Sequence, residues 1–190
     1  MKRFPQIILI VSFIAFSWLA MQVVHECGHV LVARLTGAEV TRVALHPLIM
    51  SRTDVAENPH PLAEVWGGPL LGSVIPLVLF GLAAALRTPG VYLFRFFAGF
   101  CFVANGVYIG LGLFLADGAD PWVMTENGSP RWLLAIFGLL ATALGLYLWH
   151  RQGKYFGLAE ANGVVNTRAA FVSLGLFLAV TGAELVRNVR

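Results

Sequence analysis

The sequence predicts an all-α polytopic membrane protein with about five transmembrane helices and a short β-hairpin-like loop after the first. Three observations lead there. Of 190 residues, 58% are hydrophobic and only 12% charged, against about 25% charged in an average soluble chain. Mean hydropathy is +0.76, so polar surface is too sparse to cover a water-facing globule of this size. Long apolar runs recur along the chain, each near the roughly 20 residues that a helix needs to cross a bilayer. The same figures exclude disorder, which requires low hydrophobicity and many charges.

The first run, Ile7 to Val24, follows Lys2 and Arg3 and has the outline of a signal peptide. Trp18 stands two positions before Ala20, where a cleavage site wants a small residue, and the helical pattern continues to a stop at Gly37. A retained anchor over about 5–36 is expected. Further spans are expected over about 65–86, 91–116, 131–149 and 169–186. Thr88-Pro89-Gly90 makes a tight turn between the second and third, and Asn127-Gly128-Ser129-Pro130 precedes the fourth. Together these form one membrane domain over 1–190.

Between the first two spans lies a polar stretch from Ala38 to Pro61. Glu39 to Leu45 is rich in β-branched residues and partly alternates, which suits a strand. His46-Pro47 breaks it, and Leu48-Ile49-Met50 is expected to return as a second short strand. A lone hairpin is marginal in water, so this one should lean on the helices.

Thirteen Lys and Arg stand against ten Asp and Glu. They form no dense basic run, so no nucleic-acid partner is expected and the cations read as loop and interface residues. Their near-even division between the two faces assigns no orientation. Cys27 and Cys101 both fall in apolar segments and offer no disulfide framework.

Chemistry concentrates in His25-Glu26-Cys27-Gly28-His29, an H-E-x-x-H sequence inside the first apolar helix. Side chains at i and i+4 stack on one helix face, so His25 and His29 can offer two imidazole nitrogens to one ion. Glu26 lies beside them, placed to take a proton from water without being a ligand. Gln22 extends the stripe by one turn. Ionisable groups at membrane depth cost about 2.5–3.5 kcal/mol each when charged, and they usually mark a function. Zinc (one Zn2+ ion) needs a third protein ligand and leaves a fourth position for water. Alternating helices bring the end of the third span, Ala116-Asp117-Gly118-Ala119-Asp120, to the histidines' side. Asp120, Asp117 and Glu64 are all candidates.

The run from His25 to Gly37 resembles the first motif of the M50, or site-2-protease-like, intramembrane zinc metalloproteases, in particular their compact M50B-like branch. Trp66-Gly67-Gly68-Pro69-Leu70-Leu71-Gly72 is similar to the segment opening that family's second core helix. Asp120 through Gly128-Ser129-Pro130 is similar to the branch's aspartate followed by Gly-x-Pro. The resemblance implies a helical membrane core and one catalytic zinc held by two His and an Asp, here His25, His29 and Asp120, with Glu26 as base. Asp117-Gly118 copies the Asp-Gly pair of classical members and keeps Asp117 as the alternative ligand. Asn105, which lacks the proline that follows it in those members, is either helix–helix glue or, by resemblance, a substrate-binding residue.

The expected function is therefore a zinc-dependent intramembrane or juxtamembrane endopeptidase, in which a metal-activated water, with Glu26 as base, cleaves membrane-protein or peptide substrates. The alternative is a non-proteolytic metal-binding membrane protein, a sensor or adaptor on the same fold. A small transporter would spread ionisable residues along a path, whereas spans four and five carry little beyond Glu184. The expected setting is a cell membrane, crossed several times, with the lipid bilayer as a partner. His46, His60 and His150 have no ligand-like spacing and read as loop residues. Gly28 reads as a point of close helix packing.

Overall fold

The computed structural model describes residues 3–114 and 118–188. Helix α1 runs Phe4–Leu35, followed by strands β1 (Glu39–Ala44) and β2 (Arg52–Ala56), then helices α2 (Pro61–Ala85) and α3 (Val91–Leu111). A short 3-10 turn, Gly112–Phe114, leads toward α4 (Asp120–Glu126), α5 (Arg131–Trp149) and α6 (Thr167–Asn188). Among the described residues, α1, α2, α3, α5 and α6 are long and apolar enough to cross a membrane. Their outer faces agree: Ile7, Leu139 and Phe171 are 58%, 71% and 54% exposed. Large apolar side chains exposed on helix after helix are costly in water and at rest in lipid. The chain is a membrane protein.

Local chemistry explains the element ends. Pro5 sits in the first turn of α1, where its missing N–H is no loss. At 32 residues α1 reaches about 48 Å at 1.5 Å per residue, well past a hydrocarbon core of roughly 30 Å. The Thr36 hydroxyl donates to Val32 O at 2.8 Å, and Gly37 turns the chain out at φ 84°. Helix α2 starts at Pro61, four residues before the apolar run, because Pro61 suits the first turn and Glu64 favours the positive helix end. Helix α3 stops at Leu111, short of the expected 116. Residues 115–116 lie outside those described.

The hairpin exists, but its second strand is not where the apolar run suggested. β1 pairs antiparallel with β2, from Glu39 opposite Ala56 to Ala44 opposite Arg52, with an irregularity between Val40 and Arg42. Leu48-Ile49-Met50 instead forms part of the connecting loop, at 86%, 56% and 59% exposure. Three apolar residues in a row have no alternation to divide between two faces. Thr53 and Val55, spaced by two, supply it.

Helix α1 packs between α2 and α6, while α3 packs between α2 and α5. Without a hydrophobic drive between helices in lipid, small residues let backbones approach. A Cβ on Gly28 would collide with the Gly67 carbonyl, and Gly110 of α3 meets Gly138 of α5 in the same way. At the end of the bundle nearest Asp120, Val65, Ile109, Met124 and Leu134 form a buried cluster that binds α4 to α2, α3 and α5. The Trp66 indole N–H donates to Ser129 Oγ at 2.8 Å beside it. That cluster fixes where α4 begins, and so where Asp120 stands.

Candidate metal centre

His25, Glu26 and His29 are all buried within one turn of α1. His25 Nε2 lies 3.0 Å from Asp120 Oδ2, His29 Nε2 lies 3.3 Å from the same oxygen, and the two Nε2 atoms are 3.1 Å apart. The three potential ligand atoms fall within 4.8 Å of one another. The H-E-x-x-H spacing on one helix and the return of the chain after α3 thus meet at one point.

The outer ring nitrogens are already engaged. His25 Nδ1 is 2.7 Å from Asn105 Oδ1, and His29 Nδ1 is 3.1 Å from the Glu64 carbonyl and 2.9 Å from its carboxylate Oε1. All three partners are acceptors, which assigns the imidazole protons to Nδ1. Both Nε2 lone pairs then face inward, toward an anionic oxygen. Three electron-rich atoms converging without a proton between them repel one another, and a cation relieves this. The donor set could hold a metal ion, with a carboxylate and an amide orienting the two rings from behind.

Asp120 is the first residue of α4, held by buried Pro121 and by its own N–H, which donates to the Tyr108 hydroxyl at 3.2 Å. Asp117 lies outside the described residues. Helix α2 makes room for His29: a Cβ on Gly68 would enter the imidazole ring.

Glu26 faces the hairpin. Its Oε1 accepts the Ser51 hydroxyl and its Oε2 the Thr53 hydroxyl, both at 2.6 Å. One turn away, Gln22 Oε1 accepts the Ser51 backbone N–H at 2.9 Å. A cavity of about 1460 Å³ opens over Glu26, both histidines and Asp120. Its apolar wall includes Trp18, Met21, Phe100, Val103 and Val107, and β2 forms another side.

His25, His29 and Asp120 come together as expected, with Glu26 on the same cavity. Asn105 is expected either as helix–helix glue or, by resemblance, at the substrate. It is 1% exposed, with its Oδ1 on His25 and its Nδ2 donating to Cys101 O at 3.0 Å. Glu64 is not in the group of three; its carboxylate backs His29 instead. Ser51, Thr53 and Tyr108 carry no signal in the sequence, since ordinary hydroxyl residues become informative only once the fold brings them to an acid. His46, His60 and His150 lie in the hairpin loop, just before α2 and just after α5, outside the metal group. Removing the carboxylate behind His29 with Glu64→Ala should weaken divalent-cation affinity about tenfold, the low end for such partners, because the Glu64 carbonyl remains. Titration with a competing chelator measures this.

Compared with protein-family models, with curated proteins and with solved structures, the chain matches none. Fold and site define a class all the same: a multi-pass membrane protein whose His25, His29 and Asp120 can bind a metal ion.

Proposed function

We propose that this protein is a zinc-dependent endopeptidase that cuts membrane-protein substrates within or beside the bilayer. One observation carries the reading. Two histidine Nε2 atoms and one carboxylate oxygen converge, while a second carboxylate, Glu26, opens on the same cavity and belongs to no ligand set. Two His and one carboxylate suit zinc with a fourth position left for water.

His25, His29 and Asp120 would hold the ion. When bound, zinc supplies Lewis acidity, which lowers the pKa of a water toward about 7 and polarises a carbonyl. Glu26 would accept a proton from water on its carboxylate and return it to the leaving amine. Asn105 orients His25 through Nδ1. The cavity of about 1460 Å³ exceeds the roughly 300–1,000 Å³ of small-molecule sites and suits an extended peptide. A substrate helix must unwind to enter it, since its own turns shield the peptide bond. Arg52–Ala56 borders the cavity and offers strand backbone against which an unwound segment can pair.

The test is a cleavage assay on the purified protein in lipid, with a panel of single-span substrates, with zinc and after chelation. Cleavage that stops on chelation and returns with zinc is expected. Zinc binding without cleavage of any substrate would favour the sensor or adaptor reading instead.

A further inference from the structure

Resting on the peptidase reading, we propose that Ser51 and Thr53 are positioning residues for Glu26, which makes the hairpin a working part of the catalytic apparatus. Three bonds join it to α1: Ser51 N–H to Gln22 Oε1 at 2.9 Å, Ser51 Oγ to Glu26 Oε1 at 2.6 Å, and Thr53 Oγ1 to Glu26 Oε2 at 2.6 Å.

The match follows from two regular geometries. Gln22 and Glu26 are one helical turn apart, about 6 Å along α1. Ser51, just before β2, and Thr53 within it are two residues apart, about 6.6 Å where the backbone is extended. Side chains at those spacings share one helix stripe and one side of the hairpin chain, and their contacts set the two rows alongside each other. Hydroxyl donors on both oxygens fix the plane of the Glu26 carboxylate, and each oxygen keeps a further lone pair for a proton. Short bonds to a charged acceptor are the strong kind. Glu26 is only 4% exposed, so solvent competes little for these bonds. The strand that supplies the Thr53 donor also walls the cavity through Thr53, Asp54 and Val55. Whatever fills the cavity therefore touches the element that aims the base.

Thr53→Val keeps shape and removes the donor. It should lower kcat about tenfold, leave KM within about twofold and retain full zinc, in line with loss of one charged hydrogen bond. Thr53→Ser, which keeps the hydroxyl, should restore kcat. Wild-type kcat in Thr53→Val, or Thr53→Ser as slow as Thr53→Val, overturns the proposal. A second measurement needs no cleavage: amide hydrogen exchange across residues 51–56 of the zinc-loaded protein in lipid. Glu26→Ala should speed exchange there about tenfold; unchanged exchange overturns the proposal. A wild-type protein that cleaves nothing defeats the peptidase reading, and exchange then decides the hairpin's tie to Glu26 by itself.

Discussion

Glu26→Gln should leave zinc bound and lower substrate cleavage by roughly 10²–10⁴-fold, the usual contribution of a general base. The substitution isolates chemistry because its surroundings adapt. A glutamine oxygen accepts one hydroxyl, and the other hydroxyl turns to accept from the amide, since Ser and Thr serve either way. Ligand geometry at His25 and His29 is untouched, because Glu26 is not in the group of three. Zinc content by elemental analysis and cleavage of a single-span substrate are the paired measurements. Cleavage at the wild-type rate would remove Glu26 from the mechanism.

Asp120→Ala should weaken zinc by more than about 100-fold, beyond what loss of a residue behind a ligand produces. His29→Ala should do the same. Without Asp120 the two imidazoles keep their Nε2 atoms 3.1 Å apart, but the anionic oxygen that balances the ion is gone. Asp117→Ala is the informative companion and should keep zinc. Retention in Asp120→Ala with loss in Asp117→Ala would transfer the ligand role. Competition with a chromogenic chelator reads both variants.

Much of the fold and part of the site are legible in the amino-acid sequence. Apolar length alone announces the five spans, and helical repeat pairs the i, i+4 histidines. Counting helix directions brings Asp120 to their side, because alternation across a bilayer leaves few choices. What stays hidden in the sequence depends on contacts between segments far apart along the chain. Ser51 and Thr53 meet Glu26 across 25 and 27 positions, and Glu64 reaches His29 across 35. No local pattern encodes those meetings. Hydrophobicity points to Leu48-Ile49-Met50 as the second strand, whereas pairing follows the β-branched alternation at Thr53 and Val55. The start of α2 escapes an apolar criterion for a related reason: Pro61 and Glu64 are good first-turn residues but lie outside the apolar run.

The bare backbone of α2 beneath His29 has an evolutionary consequence. Neither Gly28, Gly67 nor Gly68 can accept even a methyl group without striking a neighbour, whereas Gly81, Gly175 and Gly182 have nothing within 4 Å. Divergence among descendants of this chain is thus free to erase the latter three glycines in the lipid-facing periphery. The former three should drift only together with the helix spacing they permit.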